Sequence, residues 1–159
     1  MKKTKLFIDT DIGDDIDDLL ALMMVCNMEE AELVGITTVF RNSNLRARMV
    51  KKVLSLCGRE VPVYAGYGIP LGSEFSVSDT DIFCQASPDL DEEQYRPVND
   101  GEGCAGESAV DFIVECAECY GKELTLVAIG PLTNLAKAFL KAPDSLRTVS
   151  YTHLTLPTT

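Results

Sequence analysis

Apolar and polar positions along the chain fall into blocks that predict strands and helices in turn. Residues 5–9 (KLFID) predict a short buried strand. Residues 17–28 predict a helix that is apolar on most sides (Leu19, Leu20, Leu22, Met23, Met24, Val25), and hence one packed deep in the fold. The β-branched run at 33–39 (LVGITTV) predicts the next strand. Over 45–57 the spacing is helical again, with Leu45, Met49, Val50, Val53 and Leu54 on the inner face and Arg46, Arg48, Lys51 and Lys52 on the outer one. Gly58 ends it. A third strand is predicted over 61–65, a helix over 108–120 closed by Gly121, a strand over 124–129 (LTLVAI), and a helix over 133–141 stopped before Pro143. Between them, 66–105 is polar with little periodicity, the length of segment that commonly covers a functional site.

This alternation predicts an α/β fold: a mostly parallel open sheet flanked by helices on both faces. Ligands in such sheets bind outside the carboxyl ends of the strands. Three polar clusters are expected there: 9–18 after the first strand, 41–44 after the second, and 130–134 after the fourth.

Charge narrows the choice of partner. The 159 residues carry a formal net charge of −11, which opposes nucleic acid and anionic membrane surfaces and favours a cation or a polyhydroxy small molecule. No run has the length of a membrane span, and MKKTKLFIDT turns acidic too soon for a signal peptide, so a cytoplasmic location is expected. Six cysteines (26, 57, 84, 104, 116, 119) sit mostly in apolar segments and are expected to be small buried hydrophobes kept reduced. A zinc or redox role for the Cys116–Cys119 CxxC is disfavoured by the chain's single histidine, His153.

Six aspartates crowd positions 9–18, within LFIDTDIGDDIDDLLAL. Each carboxylate makes its neighbours costlier to ionise, so the cluster needs something positive among them. Asp17 and Asp18 fall at a helix N-terminus, where the dipole favours each by roughly 0.3–1 kcal/mol. That accounts for two carboxylates. With Asp11, Asp14 and Asp15 added, the loop has the hard oxygen chemistry of a Ca²⁺ or Mg²⁺ site. It is not an EF-hand, because Gly13 and Leu20 stand where that loop needs ligands.

DTDIGDDIDDLLAL resembles the DTDPGxDDxxAL signature of the inosine–uridine-preferring nucleoside hydrolases. GITTVFRN is similar to that family's ITTVxGN, VPVYAG to its VPVxAG, and LVAIGPLTNLAKA to its LVxxGPLTNxAxA. The matches keep the family's order from residue 5 to about 148. The resemblance implies a Rossmann-like core and hydrolysis of the N-glycosidic bond of ribonucleosides with Ca²⁺ as cofactor. It assigns Asp11 and Asp18 to the metal, Asp18 with both oxygens, together with the main-chain carbonyl of Ile129. Asp17 becomes the residue that activates water and contacts ribose, and Asn42 a second ribose contact. A homo-oligomeric parent enzyme is implied as well.

Two departures from the pattern matter. The loop from Asp11 to Asp17 is two residues longer, leaving open whether Asp14 or Asp15 joins the metal, and Arg41 replaces a glycine before Asn42. The family also places later groups beyond GPLTN: an asparagine and a glutamate that hold the sugar, and a histidine–aspartate pair that completes the calcium shell. Residues 1–149 therefore read as the N-terminal portion of a nucleoside hydrolase domain, and 150–159 (SYTHLTLPTT) as a non-native-looking tail resembling a translated sequencing adapter. A chain ending there is expected to fold loosely or aggregate, to bind calcium weakly and to be inactive. The competing readings are a haloacid-dehalogenase-like, Mg²⁺-dependent phosphatase with Asp9 as nucleophile and Asp11 as acid/base, and a non-catalytic cation-binding protein on the same fold.

Overall fold

The computed structural model describes residues 2–71, 88–90, 92–100 and 105–153. Five strands, β1 (Thr4–Thr10), β2 (Ala31–Thr38), β3 (Val63–Ala65), β4 (Leu124–Ala128) and β5 (Ser150–His153), form one sheet in the order β3-β2-β1-β4-β5. Every pairing is parallel. The helices are α1 (Asp17–Asn27), α2 (Ser43–Leu56), α3 (Ala105–Tyr120), α4 (Thr133–Lys141) and α5 (Pro143–Leu146). The predicted elements are all present, with ends shifted by one to three residues. The one-turn α5 follows from Pro143, whose fixed φ suits a first helical position as well as it stops the helix before it.

The period-two alternation of β1 divides the core between the two faces of the sheet. Phe7 joins Val110, Ile113, Leu124, Leu126 and Leu135 on the side covered by α3, α4 and α5. Ile8 joins Leu22, Ile36, Val50, Leu54 and Val63 on the side covered by α1 and α2. Gly35 in β2 has a packing reason, since a Cβ there would lie 2.6 Å from the Phe112 ring. From β1 the chain runs outward through β2 to β3, then returns to the other side of β1 for β4. The order reverses between β1 and β4, and a crevice opens at such a switch point.

Several expectations need correction. Helix α1 is not packed deep: its buried residues are Asp18, Leu22 and Cys26, one stripe at four-residue spacing, while Leu20, Met23 and Met24 are exposed. A single sheet face can cover only one stripe of a helix. Its uncovered apolar side and α2 enclose a cavity of about 590 Å³, lined among others by Ile16, Leu19, Met23, Met49, Val53 and Leu56. On α2, Arg46 points inward and is wholly buried, whereas Arg48 is half-buried against Asp100. Cys26 and Cys116 are buried, and burial pushes their thiols up to about 11 and about 12, but Cys119 is exposed. Cys84 and Cys104 lie outside the described residues.

Residues 150–153, read from the sequence as tail, pair with β4 in parallel register, Ser150 opposite Thr125 and His153 opposite Ala128. Much of the 66–105 stretch lies outside the described residues. Its described part is tied down: Asn99 exchanges two 2.9 Å hydrogen bonds with the backbone of Ala65. Asp100 accepts from Asn44 and Arg48, which hold its carboxyl below the usual range, the Asn44 hydrogen bond most of all.

Candidate active site

The carboxyl end of β1 is stitched to both neighbours. Val39 N–H donates to the Thr10 carbonyl at 3.0 Å and Ile129 N–H to the Asp9 carbonyl at 2.9 Å. The chain therefore leaves β1 at the mouth of the crevice, with the ends of β2 and β4 on either side. Gly130 faces it closely, because a Cβ there would lie 2.9 Å from both the amide nitrogen and Oδ1 of Asp11. Only a glycine admits Asp11 at that distance.

Thr10 turns the loop back toward α1. Its hydroxyl accepts from Ile12 N–H at 3.1 Å and donates to Asp18 Oδ1 at 2.5 Å. Asp18 is thereby buried in the first turn of α1, one residue after the exposed Asp17. Burial above all, helped by the charges of Asp11 and Asp17, lifts the Asp18 carboxyl to about 6 against the Thr10 hydrogen bond and the Arg46 charge. Asp11 is raised for the same leading reason, burial, with Asp14 and Asp17 adding to it and the Arg46 guanidinium opposing. Asp11, Asp17 and Asp18 thus lie within electrostatic reach of one another.

Below this loop Asp9 is buried and pushed up to about 7 by loss of solvent, although Thr37 and Asn134 donate to its Oδ1 at 2.6 and 2.8 Å. Its Oδ2 has no hydrogen-bond partner among the described residues. Asp9 is 1 % exposed with Oδ1 engaged by Thr37 and Asn134, which favours a structural carboxylate over the nucleophile of the phosphatase reading. Asn134 has its Nδ2 on Asp9 and on the Thr38 carbonyl at 3.0 Å, while its Oδ1 accepts Tyr67 N–H at 2.9 Å. It binds β1, β2 and the segment after β3 into one platform.

Asn42 is the N-cap of α2, its side-chain oxygen accepting from Leu45 N–H at 3.0 Å. Phe40 and Arg41 before it have φ of 72° and 55°. This left-handed backbone explains why a glycine stands at the second position in the family pattern. Arg41 sits over the Phe40 ring, 4.9 Å from its centroid.

Arg46 was missed as a site residue. It donates from Nε to the Phe40 carbonyl at 2.9 Å, from Nη1 to the carbonyls of Asp11 and Ile12 (2.7 Å for Ile12), and from Nη2 to Asp14 Oδ2 at 2.8 Å. Part of the positive charge that the acidic cluster demands is therefore built into the fold. Nothing in helical periodicity marks it, since Arg46 lies in a run of charged residues with Arg48, Lys51 and Lys52. Asn134 carried a visible signal in GPLTN but no assigned role. Asp15 is exposed and borders the apolar cavity.

The donor chemistry fits a hard dication: two partly buried carboxylates, Asp11 and Asp18, whose ionisation burial disfavours, beside the backbone following β4. The fit is partial. Among the described residues no three carboxylate, thiol or imidazole side chains converge closely enough to enclose an ion.

Five parallel strands with a carboxylate loop at the switch point define an α/β protein that takes its ligand at the strand ends. The chain belongs to the inosine-uridine preferring nucleoside hydrolase family, whose sequence model matches residues 6–153. It is 33% identical over 150 residues to a probable uridine nucleosidase 2 of Arabidopsis thaliana, covering 92% of this chain and 45% of that protein. It is 31% identical over 149 residues to the pyrimidine-specific ribonucleoside hydrolase RihB of Escherichia coli, with the same coverage of 92% and 45%. The chain thus spans about half the length of the curated relatives it matches. Among solved structures, the purine-preferring ribonucleoside hydrolase from Gardnerella vaginalis superposes with a TM-score of 0.69 at 29% identity, covering 94% of this chain and 48% of that one. No helix among the described residues is long and apolar enough to cross a membrane.

Proposed function

We propose that this chain forms the cation-binding half of a ribonucleoside hydrolase that splits the bond between ribose and base with a water molecule. The observation that carries this reading is the grouping of Asp11, Asp17 and Asp18 at the β1–β4 switch point, with two carboxyls raised by burial and mutual repulsion. Asp11 and Asp18 hold Ca²⁺, together with the Ile129 main-chain carbonyl. A bound calcium ion would make water more acidic and orient it with the sugar hydroxyls.

The protein's own groups do the rest. Asp17, exposed at the first turn of α1, accepts the proton of the attacking water. Cleavage of a glycosidic C–N bond builds positive charge on the sugar, as in glycoside hydrolysis, and the surrounding carboxylates stabilise it. The Asn42 amide and the Asp17 carboxylate hold ribose hydroxyls. Asn134 and Thr37 fix Asp9 beneath, so that the loop above rests on a rigid floor. Relatives named for uridine, pyrimidine and purine nucleosides support the substrate class without choosing a base. The experiment is release of free base from uridine and inosine by the full-length protein in calcium. Loss of release in chelator and in Asp17→Asn supports the reading, and release untouched by both overturns it.

A further inference from the structure

The loop between Asp11 and Asp17 is two residues longer than the DTDPGxDDxxAL pattern. A longer loop has more conformations to lose before it can present a ligand in one place. Arg46 answers that problem. It is the one buried Lys or Arg among the described residues, at 0 % exposure. Its guanidinium is shared between two loops: Asp11, Ile12 and Asp14 of the β1–α1 connection and Phe40 of the β2–α2 connection. Three of those four acceptors are main-chain carbonyls, so the contact fixes backbone and does not merely balance charge. The fourth is the Asp14 carboxylate, whose Oδ1 is buried without a hydrogen-bond partner among the described residues. Gly13 between them, at φ 122°, packs close to α2, since a Cβ there would meet Met49 Sδ at 3.1 Å.

We infer that Arg46 is a positioning residue: its planar fork locks the lengthened loop so that Asp11 faces the cation, and Asp14 is its counter-ion, not a ligand. This rests on the reading of Asp11 and Asp18 as a cation site and decides the part the sequence leaves open. A lysine could supply the charge but not the fork, because its ammonium is a point donor on a flexible stem. Arg46 Nη2 holds Asp14 Oδ2 at 2.8 Å, which ties that carboxylate to the guanidinium.

The test is calcium titration calorimetry on the full chain, with amide hydrogen exchange on the same samples, for wild type, Arg46→Lys, Asp14→Asn and Asp11→Asn. Arg46→Lys is expected to lower calcium affinity about 10- to 100-fold, the range for groups that orient metal ligands. Exchange should rise at residues 11–14 and 40–41 while β1 and β2 stay protected. Asp14→Asn should change affinity by less than about threefold, well below that range, and Asp11→Asn should cost more than Arg46→Lys. Wild-type affinity in Arg46→Lys, with only a lower melting temperature, overturns the positioning role. An Asp14→Asn loss equal to that of Asp11→Asn also overturns it, and this arm stands if Arg46→Lys does not fold. Absence of calcium uptake by wild type overturns the cation site itself and the inference with it, whatever the exchange data show.

Discussion

Asn134 Nδ2 donates to Asp9 Oδ1 across 2.8 Å, joining the first turn of α4 to the floor of β1 directly beneath the acidic loop. Residues 125 positions apart in sequence thus share one buried hydrogen bond, and they come from the two motifs, DTD and GPLTN, that are most recognisable in the chain. Asn134 also serves the Thr38 carbonyl and the Tyr67 amide. Replacing it removes three hydrogen bonds, each worth roughly 0.5–1.5 kcal/mol net. Asn134→Ala is expected to lower stability by about 3 kcal/mol in urea denaturation, whereas Asn134→Leu, which fills space but donates nothing, should recover little of it.

The raised carboxyls set a pH dependence. Asp9 at about 7 and Asp18 at about 6 bind protons more readily folded than unfolded, so their ionisation opposes folding above those values and not below. Without added metal, the protein is expected to gain stability as pH falls from 8 to about 5.5. Asp100, whose carboxyl is lowered, acts in the opposite sense and only at more acid pH. With calcium present the trend should reverse, because protons and the cation compete for Asp18. Chemical denaturation in chelator and in calcium at both pH values checks the sign.

Gly130 gives a way to disturb Asp11 without touching a carboxylate. A methyl group there would press on the Asp11 amide and Oδ1 at 2.9 Å. Gly130→Ala should lower calcium affinity about tenfold or more, as loss of a ligand-orienting contact does, with the sheet intact by circular dichroism.

Asp17 and Asp18 are adjacent but differ in burial, and their variants should differ in kind. Asp17→Asn removes an exposed base: base release should fall about 10²- to 10⁴-fold, with melting temperature nearly unchanged. Asp18→Asn keeps an oxygen that accepts from the Thr10 hydroxyl but removes the negative charge, and should chiefly weaken calcium binding. Paired kinetics and calorimetry separate the two, and equal effects on both readouts would contradict the division of roles.

The sequence made the sheet legible because strand and helix periods alternate without ambiguity, and the family motifs sit at strand ends where the topology gathers them. Its failures share a physical cause. Helix α1 looked central because Leu20, Met23 and Met24 are apolar, but burial depends on which stripe meets the sheet, and they do not lie on it. Arg46 looked solvent-facing because it is charged and flanked by charge, yet its partners are carbonyls on two distant loops that no local pattern reveals. Asp11, Asp17 and Asp18 stand out in the sequence because they belong to a motif; Asn134 and Thr10 act through hydrogen bonds that only the folded chain displays.

The central claim is that the aspartates after β1 grip a hard dication. The measurement that tests it most directly is calcium titration of the full-length protein, with free base from uridine followed in the same samples. One ion bound per chain, with base release lost in chelator and restored by calcium, is the predicted result. Neither uptake of the ion nor any calcium-dependent release of base would contradict it.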